Sequence, residues 1–237
     1  MKPSIFIILL FLLACGSPEG VKEEKKVEKE EVYEKVEFVE DTILERNNPK
    51  ALDLTKHQLF IDTTRNSIFY ERLIQWKANQ RKNETVETYL AELNKISKSK
   101  KSDFGDFPRL FVRVNKLEDE FVLYDRCDGT DPRYELRDSA FIFYGPLESD
   151  AETIKDVYQK NGKSIKLQLN SFKAKTPDEV SALQIDRTKH PGIYSLKYKN
   201  QNYSLEEYVI PIEDVEKFDL VVNHCPVMKV LEYAPFY

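Results

Sequence analysis

The densest run of reactive side chains is Tyr124-Asp125-Arg126-Cys127-Asp128-Gly129-Thr130-Asp131-Pro132-Arg133, followed closely by Asp138. Four carboxylates in one short segment could hold a cation or work as an acid–base pair. A calcium loop needs oxygens at alternate positions, then a glycine and a later glutamate. Acids at 125, 128 and 131 do not have that spacing. If the segment does chemistry, Asp128 and Asp131 are the pair that carries it, as ligand-binding or hydrolytic carboxylates. The competing reading is a turn, because Asp-Gly and Asp-Pro are common turn formers. The three histidines, His57, His190 and His224, stand beside Lys56, Pro191-Gly192 and Cys225-Pro226. Those neighbours read as turn or surface positions rather than general bases. No GxSxG, HExxH, Walker loop or glycine-rich dinucleotide turn is present. Accordingly no catalytic residue, metal ligand or cofactor is expected, and a binding module is preferred to an enzyme.

These side chains need a scaffold, and the composition allows one. Of 237 residues, 41% are apolar and 12% aromatic, enough for a sizeable core. Net charge is -5, which argues against a nucleic-acid partner, since that wants a basic face. Lys95, Lys98, Lys100 and Lys101 form one basic run, at the end of a predicted helix where cations suit the dipole.

Periodicity divides the chain. Phe69, Leu73 and Trp76, then Val86, Tyr89, Leu90, Leu93 and Ile96, recur at helical spacing. The polar run Gln80–Glu84 between them reads as a turn, with Asn83 or Thr85 as cap, so 49–105 is expected to be a helical hairpin. From Leu110 the period becomes two. Leu110–Val114, Phe121–Arg126, Arg133–Gly145, Ser164–Phe172, Gly192–Lys199, Phe218–Asn223 and Val227–Tyr233 read as strands. Short helices are expected after Ser149, whose spacing to Glu152 is that of a capping box, after Thr176-Pro177, and after Ser204. Residues 106–237 thus read as a mainly antiparallel sheet with short helices, and the whole as an α+β fold. Tyr124, Phe141, Phe143 and Tyr194 could line an aromatic sheet face that takes a small molecule.

The N-terminus has a character of its own. Met1-Lys2 is followed by nine apolar residues, Ile5–Leu13, too few to span a bilayer as a helix. The stretch ends Leu12-Leu13-Ala14-Cys15-Gly16. This resembles the signal peptide and lipobox of bacterial lipoproteins. The resemblance implies cleavage after residue 14, diacylglycerol on Cys15, and export to a membrane surface. Gly16 is not acidic, which favours the outer membrane in a Gram-negative cell; otherwise the outer face of the plasma membrane is implied. Residues 15–48 are charge-rich and read as a tether, with a helix or docked strand near 32–44 as the alternative. The implied partners are the membrane, through the lipid, and a protein or glycan of the envelope. With Cys15 acylated, Cys127 and Cys225 remain, and an oxidising compartment favours a disulfide between them. Free thiols and a metal site with His224 and His190 are the other readings.

Overall fold

The computed structural model describes residues 37–39, 44–127, 131–171, 179–226 and 231–236. In chain order the elements are β1 (Glu37–Val39), β2 (Arg46–Asn47), β3 (Gln58–Asp62), α1 (Ile68–Ile74), α2 (Gln80–Ile96), β4 (Leu110–Leu117) and β5 (Glu120–Asp125). There follow β6 (Arg133–Arg137), β7 (Ala140–Tyr144), β8 (Ser149–Asn161), β9 (Ser164–Ser171), β10 (Val180–Arg187), β11 (Tyr194–Lys199) and β12 (Ser204–Pro211). After a 3-10 turn at Ile212–Lys217 come β13 (Asp219–His224) and β14 (Leu231–Tyr233).

Eight of these strands close on themselves. Strands β6 to β12 pair antiparallel in sequence order, and β4 joins β6 on one side and β12 on the other. The closing contact runs from Tyr208 opposite Val114 to Pro211 opposite Phe111. Alternation then sends one face of every strand into the lumen. Phe111, Tyr134, Leu136, Phe141, Ile154, Ile165, Leu167, Leu169, Leu183, Ile185, Tyr194, Leu196 and Val209 form that inner core. Phe104 and Phe107, from the segment between α2 and β4, join it at one end. That segment is stitched to the barrel by Lys100 N to Ile154 O and Ser102 N to Asp138 O, both 2.7 Å.

Strand β4 leaves the barrel before it ends. Asn115–Leu117 pair with β5 and open a flanking sheet in the order β5-β13-β3-β2, in which β13 lies parallel to β5 and antiparallel to β3. Cys127 and Cys225 follow the ends of the parallel neighbours β5 and β13 and are joined by a disulfide, with Cα atoms 5.3 Å apart. Strand β1, within the stretch read as a tether, runs parallel to β14.

The α+β expectation is therefore corrected: the fold is mostly β, a closed eight-stranded antiparallel barrel with extra strands, and α1 and α2 do not form a helical hairpin. The apolar stripes are real, but they face different partners. Phe69, Tyr70 and Leu73 pack with Val112, Val114, Ile210 and Val215, between barrel and flanking sheet. Val86, Tyr89, Leu90 and Trp76 lie on Ile142, Tyr144 and Ala151, on the outside of β7 and β8. The polar run Gln80–Glu84 is the first turn of α2, not a loop, because Asn79 caps the helix by accepting from Lys82 N at 2.9 Å. The segment expected to be helical also carries the strand β3.

Two expected short helices are strands. Residues 149–161 form β8, and their helix-like spacing has a cause. Register shifts between Ile154 and Asp156 and between Val157 and Gln159 insert extra residues. Each bulge moves the next inward side chain out of period two. Asn161-Gly162, where the helix expected after Ser149 would have to end, is the hairpin turn into β9. Residues 204–211 are β12, where Leu205 and Val209 alternate into the core. The start expected at Thr176-Pro177-Asp178 lies outside the described residues, and Val180 already belongs to β10. Arg133–Gly145, expected as one strand, is two: the chain turns at Asp138-Ser139, so that β6 and β7 form a tight hairpin.

Candidate functional site

The segment carrying Phe104 and Phe107 packs into one end of the barrel. The other end, where β6, β8, β10 and β12 begin, opens into a cavity of about 390 Å³. An eight-stranded barrel is just wide enough either to be filled by side chains or to hold one small ligand. Here it does both, one at each end. The cavity is lined by Tyr134, Phe141, Phe143, Tyr198, Tyr203 and Leu205 together with Asp150, Glu152, Ser171, Asn200 and Asn202.

Glu152 is the chemical centre. It is 5% exposed. Its Oε1 accepts from Ser181 Oγ at 2.8 Å and from Tyr198 OH at 2.9 Å. Its Oε2 is buried and accepts no hydrogen bond from the described residues. Burial pushes the Glu152 carboxyl up from its ordinary value, the hydroxyls of Ser171, Ser181 and Tyr198 hold it down, and the charge of Asp150 adds to the rise. The Tyr198 phenol is pushed up to about 12, mainly by burial and then by the Glu152 charge, so it stays a donor. Asn200 fixes that tyrosine from the β11–β12 turn, donating Nδ2 to its OH at 3.1 Å. The Asn200 Oδ1 in turn accepts from the backbone N–H of Asn202 at 2.9 Å and of Tyr203 at 2.8 Å, which shapes the rim. Tyr134 donates its OH to Glu207, whose carboxylate sits 3.5 Å from Arg113. The phenols of Tyr134 and Tyr198 are thus tied back into the barrel, and their rings face the cavity.

The acidic run singled out in the sequence builds something different. Asp131 is 1% exposed and accepts from Arg113 Nη2 at 2.8 Å. Burial raises its carboxyl, and Arg113 opposes the rise. It is a buried ion pair outside the cavity lining, and Asp128 lies outside the described residues. Asp125 pairs with Arg72 and is pushed up to about 6 by burial, against the charge of that arginine. Arg133, also 1% exposed, stacks 4.7 Å from the Trp76 ring, and none of its guanidinium nitrogens finds a hydrogen-bond partner among the described residues. Asp138 is paired with Arg109 at 2.9 Å.

Each histidine has a structural contact: His57 Nε2 meets Asn223 Oδ1 at 2.8 Å, His224 Nε2 donates to Leu54 O at 2.9 Å, and the His190 ring packs edge-on against Phe121 with centroids 5.2 Å apart. Among the described residues no three His, Cys, Asp or Glu side chains are grouped to hold a metal.

Of the four aromatics read as a sheet face, Phe141 and Phe143 line the cavity, Tyr194 lies deeper in the lumen, and Tyr124 sits in a separate core with Tyr233 and Phe236. Glu152 was missed because its spacing from Ser149 reads as a capping box. The signal that would have found it is Asn161-Gly162 between two apolar runs, the mark of a hairpin, which makes 149–161 a strand and points Glu152 and Ile154 to one side. Comparison with protein-family models, with curated proteins and with solved structures finds no match for this chain.

Proposed function

We propose that this chain is a lipid-anchored envelope protein, non-catalytic, whose barrel binds a small molecule at its open end. The observation that carries the binding reading is the cavity: about 390 Å³, walled by five aromatic rings, with a buried carboxyl at its side. Small-molecule sites are typically concave, mostly apolar, and supplied with a few placed polar groups. The alternative of a hydrolase using Asp128 and Asp131 draws no support from a carboxylate sealed against Arg113. Export is supported by the lipobox at Leu12–Cys15 and by the Cys127–Cys225 bridge, since disulfides persist in oxidising compartments.

Two measurements test the two halves of the reading. Intact mass of protein purified from its own cells should correspond to a chain starting at Cys15 and carrying acyl mass; a chain starting at Met1 refutes the anchor. A thermal-shift screen with apolar compounds of up to drug size, each bearing one polar group, should yield ligands that raise Tm in wild type. The same ligands should fail in Phe143→Ala. A screen without hits, or hits indifferent to Phe143, refutes the pocket.

A further inference from the structure

Arg133 is a buried cation, 1% exposed, with no hydrogen-bonded partner among the described residues. Its neighbour in β6, Tyr134, lines the barrel-end cavity, so alternation sends Arg133 to the outer face of the wall. There it stands opposite Val112 of β4 and Tyr144 of β7. Trp76, from the connection between α1 and α2, lies over it, with the guanidinium carbon 4.7 Å from the ring centre. That indole packs in an apolar cluster with Ile142, Tyr144 and Ala151.

Burial pulls the guanidinium down to about 10, against the charges of Asp131 and Asp125, so it still carries its proton at neutral pH. The two carboxylates act from a distance. Asp131 accepts from Arg113 and Asp125 from Arg72, and neither is within hydrogen-bond reach of Arg133. Glu135, two residues along β6, is held by Arg137 at 2.8 Å. A guanidinium has five N–H donors and no acceptor. The indole face attracts the charge, but it leaves those donors without a lone pair. Donors buried in that state are costly, and a buried charge more so.

We propose that Arg133 holds a small monovalent anion, a halide or one of similar size, at its unbonded N–H groups beneath Trp76. A water molecule at this place could accept from the guanidinium but would have to direct its own two protons into an apolar cluster. An anion only accepts, and it balances the buried charge as well. Access is short, because Trp76 is half-buried and a single ring covers the guanidinium on that side. The site is separate from the barrel-end cavity and independent of the small-molecule reading.

Trp76 is the one tryptophan of the chain, so its fluorescence reports on this place. The test titrates the purified full chain with sodium iodide, with sodium gluconate holding ionic strength constant; gluconate is too bulky to enter. Iodide held by Arg133 lies against the indole and quenches it. Wild type should therefore show a saturable phase on top of linear collisional quenching. Chloride does not quench, and it should reverse the saturable phase by competition. Arg133→Met keeps an apolar stem under the ring and should leave only the linear part, indifferent to chloride. Should that variant fold poorly, Arg133→Lys retains the cation without the planar fork, and its saturable phase should need at least about threefold more iodide. Linear, chloride-insensitive quenching in wild type overturns the inference. A saturable phase that survives Arg133→Met overturns it too. So does one that emerges only in Asp128→Asn, since a carboxylate of the chain then fills the place.

Discussion

Replacing Cys127 and Cys225 together by serine is the perturbation whose size follows most directly from the chain. The two residues are 98 apart in sequence. Closing a loop of that length in the unfolded chain costs conformational entropy worth about 4.7 kcal/mol at 25 °C, which the bridge has already removed. Inside the folded protein the bridge adds little order of its own. Strands β5 and β13 are held side by side by the pairing from Asp219 opposite Val122 to Val222 opposite Asp125, and the bridge lies just beyond it. Its effect therefore falls almost wholly on the unfolded state. For a folded unit near 200 residues, each kcal/mol moves Tm by about 2–4 °C, so the double variant should melt about 10–20 °C lower. Urea unfolding measured with and without dithiothreitol is the assay. Reduced wild type and the double serine variant should coincide, and both should unfold with a steeper urea dependence than the oxidised protein, because the uncrosslinked chain expands further. A loss under about 1 kcal/mol would refute the reasoning, since it would mean that the unfolded chain keeps β5 and β13 together without the bridge.

The buried Asp125, raised to about 6 from an ordinary 3.8, should lower stability as pH rises. Its contribution is complete below the unfolded pKa near 4 and is lost through pH 6. Wild type minus Asp125→Asn should therefore fall by about 2 kcal/mol between pH 4 and 7 in urea titrations, and a flat difference would refute the shift. Leu167→Ala, in the filled part of the lumen, should cost about 2–5 kcal/mol by chemical denaturation, with the outcome set by how far the barrel relaxes. Asn79→Ala should cost about 1 kcal/mol through the lost cap. Thr85→Ala, at a position within α2 whose hydroxyl bonds Arg81 O, should change stability by no more than about 0.5 kcal/mol.

Local signals in the sequence carried a good part of this structure. Period-two runs such as Ile165, Leu167 and Leu169 identified β9 and its inward face, because side-chain alternation is a property of the strand alone. The stripes of α1 and α2 were equally legible. The partners of those stripes were not, since a helix face records only that something apolar covers it, and here one covers barrel wall and the other the seam with the flanking sheet. Bulged β8 shows the limit on a single element: two inserted residues gave a strand the spacing of a helix.

By itself the sequence pointed to Cys127 and Cys225 as a disulfide pair and marked most of the strands between Leu110 and His224. Each is set by covalent chemistry or by neighbours within a few residues. Closure of eight strands, with β12 returning to β4 nearly a hundred residues earlier, was decided by tertiary structure alone, because strand pairing depends on register between distant segments. Closure also decided the site. It turned Glu152 from an apparent helix cap into a buried acid among five aromatic rings, and it turned the conspicuous Asp131 into half of a sealed ion pair.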